Sequence, residues 1–189
     1  MTLLRTVITM SLLTLLSACR SSHPPLTTES AVDLPRFMGD WYVIASIPTF
    51  LEKGAHNAVE SYRLDPDGTI ATTFTFRDGA FDGEPQRHCP RGFVLDSRSN
   101  AVWGMRFVWP IKADYRIVHV SPDYQRTIVG REKRDYVWIM ARTPRIDDVQ
   151  LEELRERIAR EGYDLSALQL VPQRWPEDDA ARSNLEECS

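Results

Sequence analysis

Eight short runs of strand-forming residues, joined by few connecting residues, constrain this chain more than any other feature. They lie at 41–47, 57–65, 69–77, 86–96, 101–109, 115–120, 126–131 and 136–142. Side chains on a strand alternate between its two faces, and several runs alternate accordingly. Ile70, Thr72, Phe74 and Phe76 share one face of the third run, with Thr73 and Thr75 opposite. Trp103, Met105, Phe107 and Trp109 share a face of the fifth, and Trp41, Val43, Ala45 and Ile47 a face of the first. Pro66-Asp67-Gly68 is a turn with a mechanism, since proline presets φ and glycine accepts a positive one. Pro90 and Gly92 require an irregularity inside the fourth run.

Consecutive hairpins of this kind form an antiparallel up-and-down meander, and eight strands suffice to close it into a barrel able to hold a small ligand. Closure also removes the sheet edges on which another chain could add. One helix breaks the pattern: Asp147 or Asp148 caps it, Leu151, Leu154 and Ile158 form its apolar stripe, and Gly162 stops it. The expected fold class is therefore all-β, an eight-stranded antiparallel barrel with one C-terminal helix packed outside. A short closing strand is expected at 168–171, then a polar tail at 173–189.

The chain of 189 residues carries a net charge of −4 with basic and acidic residues interspersed, which argues against nucleic acid as a partner. Five Trp, six Tyr and seven Phe supply a core and leave aromatics over to line a cavity. Residues 1–18 read as a leader rather than part of the fold, with Arg5 near the start and an apolar stretch too short to span a bilayer. Residues 19–32, rich in Ser, Thr and Pro, read as a flexible tether, and 33–172 as the folded body.

The leader ends in Leu16-Ser17-Ala18-Cys19, which resembles the lipobox of bacterial lipoproteins. That resemblance implies cleavage before Cys19, acylation of the new N-terminal cysteine with palmitate-type chains, and stable anchoring by more than one chain. Arg20 stands where an aspartate would signal inner-membrane retention, so the implied address is the outer membrane, facing the periplasm.

Three segments, in order, resemble the lipocalin family, and in particular the lipoprotein lipocalins of bacterial outer membranes. Gly39-Asp40-Trp41-Tyr42 matches the family's first motif, Pro122-Asp123-Tyr124 is a looser match to the second, and Arg142-Thr143-Pro144 matches the third. The resemblance covers roughly residues 34–172 and implies a barrel closed at one end, with Arg142 over the indole of Trp41 beside Gly39. It also implies fatty acids or lysophospholipids as ligands, bound for storage, transport or membrane maintenance, and is compatible with a homodimer.

With Cys19 assigned to lipid, Cys89 and Cys188 remain in an exported, oxidising setting. A disulfide tying the tail to the fourth strand, as in many lipocalins, and two free thiols are the alternatives. His23, His56, His88 and His119 are dispersed, so no metal site and no cofactor is expected.

The leading reading is a binding module whose pocket draws on Val43, Ala45, Phe74, Phe76, Met105, Phe107, Trp109, Tyr115, Tyr136 and Trp138. Lys53, Arg77 and Lys112 are rim cations for a phosphate or carboxylate head. An enzyme of isomerase type is an alternative, although no nucleophile elbow or phosphate-cradling loop is present. Glu60 and Asp114 are carboxylates able to sit in a barrel, but nothing pairs them by spacing. A free, pocket-facing Cys89 would favour an enzyme. An envelope chaperone in a half-open barrel is a third reading, one that lacks the Trp41/Arg142 closed end.

Overall fold

The computed structural model describes residues 23–175 and Cys188; the leader, Cys19 and the rest of the tail lie outside the described residues. Residues leading into the barrel form α1 (Leu34–Phe37), one turn capped by Asp33, which accepts from the Arg36 amide. Phe37 at its end is fully buried.

The barrel follows as β1 (Gly39–Ile47), β2 (Ala55–Leu64), β3 (Thr69–Asp78), β4 (Pro85–His88), β5 (Arg91–Val94), β6 (Val102–Val108), β7 (Ile111–Val120), β8 (Arg126–Gly130) and β9 (Val137–Ala141). Successive wall strands pair antiparallel in the order β1-β2-β3-β5-β6-β7-β8-β9, with β4 also on β3, and β1 pairs with β9 to close the wall. β4 and β5 are two halves of one wall strand. β4 pairs with the upper part of β3 and β5 with the lower, broken at Cys89-Pro90, where proline has no amide to give the ladder. Gly92 is needed where it stands: a Cβ there would come within 3.1 Å of the Met105 sulfur and 3.2 Å of the Ile70 Cβ.

β7 starts at Ile111, four residues before the run read from the sequence, because polar Lys112 and Asp114 hide the start of a strand whose outer face is wet. β1 departs from simple alternation. Trp41 and Val43 face the interior, but a bulge between Val43 and Ala45 turns Ala45 and Ile47 outward with Ile44. Beyond the bulge, β1 exchanges β2 for β10 (Gln169–Leu170), which pairs with Ala45 and Ser46.

The one long helix among the described residues, α2 (Asp148–Arg160), is capped by Asp147, whose Oδ1 accepts from the Gln150 amide at 2.7 Å. It buries Leu154 and Ile158 against the outside of the wall, with Ile128, Val137 and Ile139 beneath. Each such side chain stabilises the fold by about 1.5–3 kcal/mol. Gly162 ends the helix with a positive φ of 91°.

Candidate functional site

One end of the barrel is sealed. The guanidinium carbon of Arg142 lies 3.7 Å from the centroid of the Trp41 ring, and the Trp41 indole N–H donates to the Phe37 carbonyl at 2.8 Å. Arg142 also donates to the carbonyls of Asp40, Arg36 and Met38, each at 2.8 Å, and to that of Phe37 at 3.1 Å. One side chain thus terminates α1 and pins it across the barrel floor. Gly39 sits directly beneath, with a φ of 91° and no Cβ in the way of the guanidinium. Burial lowers the Arg142 pKa to about 10, against the pull of Asp40, so it remains a cation at neutral pH. Phe37, Tyr62 and Trp103 complete the floor, with Phe37 and Trp103 edge to face at 5.6 Å.

Above this floor lies a cavity of about 470 Å³ that opens at the opposite end. Phe74, Met105, Phe107, Tyr115, Tyr136 and Trp138 all line it, together with Ala113, Val108 and the 49–52 segment of the β1–β2 loop. Hydrophobic and aromatic walls with a few polar groups are the usual make-up of a small-molecule site.

The polar groups are few and arranged. Tyr62 donates a hydrogen bond to Glu60, and the Tyr62 and Tyr115 hydroxyls hydrogen-bond each other. Glu60 keeps some exposed area only because it faces the cavity; burial, reinforced by the charge of Glu52, pushes its carboxyl up to about 8, with Tyr115 opposing. Burial and the Glu60 charge push Tyr115 well above the usual tyrosine range. At the mouth, Glu52 accepts from the Trp138 indole N–H at 2.7 Å and from Thr49 Oγ1 at 2.8 Å; burial still raises its pKa. Arg131 is the cation on the cavity wall, 3.3 Å from Asp135, and its Nε is buried without a hydrogen-bond partner among the described residues.

The other residues singled out in the sequence sit elsewhere. Val43 and Phe76 are buried in the barrel interior but are not part of the cavity wall, and Ala45 is on the outer face for the reason given above. Trp109 projects from the mouth, 78% exposed. Lys53 and Arg77 are exposed and off the cavity wall. Lys112 lies along the outer wall instead, its ammonium 4.0 Å from the Phe93 centroid, because it alternates with Ala113, which faces in. Sequence reading missed Arg131, Glu52 and His88 as lining residues. Arg131 ends the seventh run in sequence but stands one residue past β8, and Glu52 lies in the β1–β2 loop, where period-two parity says nothing. His88 enters the sequence reading only as one of four dispersed histidines that make no metal site.

Cys89 and Cys188 form a disulfide with Cα atoms 5.6 Å apart, and the Cys188 amide donates to Thr73 Oγ1 at 2.8 Å. Cys89 is therefore not a free nucleophile.

A closed eight-position barrel with a sealed floor, an apolar cavity and one external helix defines the class: a small-molecule-binding calyx. Residues 32–173 match the family described as "Lipocalin-like domain", and the chain belongs to the lipocalins. It is similar to temperature-induced lipocalin-1 of Arabidopsis thaliana, 31% identical over 75% of this chain and 80% of that one. It is also similar to the outer membrane lipoprotein Blc of Escherichia coli K12, 29% identical over 84% and 90%. Among solved structures, insecticyanin from the tobacco hornworm superposes with a TM-score of 0.63 at 13% identity, covering 82% of this chain and 87% of that one. The cockroach allergen Per a 4 gives 0.60 at 19%, covering 86% and 99%. These two likenesses concern the fold alone.

Proposed function

We propose that this lipocalin is a lipid carrier held at the outer membrane by an acylated Cys19, and that it takes fatty acids or lysophospholipids. The acyl tail lies in the cavity, and the anionic head stays at the mouth beside Arg131. The observation that carries this reading is an apolar cavity of about 470 Å³ with one incompletely satisfied arginine on its wall. Its size falls within the range of about 300–1,000 Å³ usual for small-ligand sites. The sequence Leu16-Ser17-Ala18-Cys19 and the outer membrane lipoproteins among the relatives support the anchor.

Carriage is favoured over catalysis because Cys89 is bonded and the Glu60–Tyr62–Tyr115 chain spends its hydrogen bonds internally. The sealed floor and complete β1–β9 closure disfavour a half-open chaperone barrel.

The test is titration with lysophospholipid and with fatty acid, followed by tryptophan fluorescence and native mass spectrometry. The comparison is Ala113→Trp, which places an indole in the cavity. Saturable one-to-one binding at micromolar ligand or tighter, weakened at least tenfold in Ala113→Trp, is the expected result. If no acyl ligand gives a saturable change in the unmodified protein, the reading fails.

A further inference from the structure

Ten large hydrophobic side chains are exposed among the described residues, and six of them crowd the mouth: Phe50, Leu51, Phe107, Val108, Trp109 and Ile111. They belong to the β1–β2 loop and the β6–β7 hairpin, which stand on opposite sides of the rim in the strand order, and Phe50, Leu51, Phe107 and Val108 border the same cavity mouth. Phe50 is 77% exposed, Trp109 78% and Ile111 71%. The other four, Leu64, Leu95, Val149 and Leu170, stand apart in sequence and structure, which is ordinary for a protein surface. A clustered apolar rim is not, and marks a contact surface.

A second, independent observation says what covers it. The described chain begins beside this same end. The Pro24 carbonyl accepts from Arg134 at 2.8 Å and the Leu26 amide donates to the Glu132 carboxylate at 3.3 Å, both partners being in the β8–β9 hairpin at the mouth. From there the segment descends the outer wall: the Glu29 amide donates to the Ile117 carbonyl, and the Val32 amide to the Ser99 carbonyl near the floor. Cys19 precedes Pro24 by five residues, a reach of at most about 18 Å for extended chain. An anchor at Cys19 is therefore tethered to the mouth end of the barrel.

We infer that the mouth of the barrel rests on the phospholipid bilayer, with Phe50, Val108, Trp109 and Ile111 seated among the lipid head groups and upper acyl chains. This rests on the proposed acylation of Cys19 for its orientation. A tryptophan flanked by aliphatic residues suits the membrane interface, where the ring is amphipathic. Charge at this end is mixed: Lys53, Arg77, Arg87 and Lys133 are exposed there, and so are Asp78, Asp82 and Glu84. Docking is thus by apolar insertion, with little dependence on anionic lipid or salt. In this pose an acyl ligand passes between bilayer and cavity without crossing bulk water.

The test reconstitutes the full chain into phosphatidylcholine vesicles made with or without lipids brominated near the top of the acyl chain. Tryptophan quenching is read for the unmodified protein, for Trp109→Phe, and for Phe50→Ser combined with Ile111→Ser. The expected result is quenching by the brominated lipid that falls by more than half in Trp109→Phe and in the double variant. The other tryptophans are shielded to different degrees, Trp41 and Trp103 completely. Equal quenching in all three proteins, or none, with Trp109 still open to acrylamide, overturns the inference. Shielding of Trp109 from acrylamide that depends on protein concentration without vesicles also overturns it, in favour of a second copy on the rim. Intact-mass analysis of the same sample reports Cys19 acylation separately. An unacylated chain refutes the anchor, while Trp109-dependent quenching still decides the docking.

Discussion

The Glu52 carboxylate and the Trp138 indole N–H meet at 2.7 Å, joining the β1–β2 loop to the β9 wall across the cavity mouth. Both residues line the cavity, so a ligand entering or leaving passes this contact. A hydrogen bond to a charged group contributes about 1.5–3 kcal/mol. Glu52→Ala is expected to speed release of a fluorescent lysophospholipid about tenfold in stopped-flow displacement. A double-mutant cycle with Trp138→Phe checks the cause, since strictly additive effects would show that the loop is held by something else.

Glu60 makes stability depend on pH in an unusual direction for an acid. Its folded pKa is raised from 4.5 to about 8, so between these values the native protein keeps a proton that the unfolded chain releases. Stability is therefore highest below about pH 4.5 as far as this group is concerned, and declines as pH rises to about 8. The full span is on the order of 5 kcal/mol. Glu60→Gln should flatten most of that decline in urea midpoints measured from pH 5 to 9, with a smaller slope left by Glu52, whose pKa is also raised. An unchanged slope in the variant would place the titration elsewhere.

What the sequence made legible was what alternation and turn chemistry control. The order of wall strands, the capped helix and the shared faces of Phe74 with Phe76 and of Trp103 with Met105 follow from period-two and 3.6-residue patterns, whereas which face turns inward is set by register. The misreadings fall where those patterns are interrupted. The bulge after Val43 reversed Ala45, and the wet face of Lys112 and Asp114 concealed the start of β7. The functional polar groups were harder still. Glu60 was visible as a carboxylate able to sit in a barrel, but its Tyr62–Tyr115 partnership joins β2 to β7 across the interior, which no local spacing encodes.

Arg142 couples the floor to the chain that enters it. Replacing it removes the cation over Trp41 and leaves the carbonyls of Arg36, Phe37, Met38 and Asp40 short of a donor. Arg142→Ala is expected to cost about 3 kcal/mol in urea unfolding. Arg142→Lys should cost about 2, because an ammonium lacks the planar fork that reaches several carbonyls at once. One-to-one ligand binding should persist in the folded fraction, since the contact lies beneath the cavity rather than on its wall. Loss of binding in fully folded Arg142→Lys would mean that the floor shapes the site directly.

The Cys89–Cys188 disulfide closes a loop across a sequence separation of 99 residues and holds the end of the chain against Thr73. In the chain-entropy description a cross-link of that span stabilises by about 4–5 kcal/mol through the unfolded state, provided reduction leaves the native contacts unchanged. The barrel wall closes through β1 and β9 without it, so the reduced protein should remain folded. Cys89→Ser with Cys188→Ser is therefore expected to keep the native circular dichroism and ligand stoichiometry while its urea midpoint drops. The unmodified protein should fall to the same midpoint when reductant is added. A midpoint insensitive to reductant would mean that the cross-link is absent in solution or does not constrain the unfolded chain; a reduced protein that unfolds outright would make the tail part of the barrel's core stability.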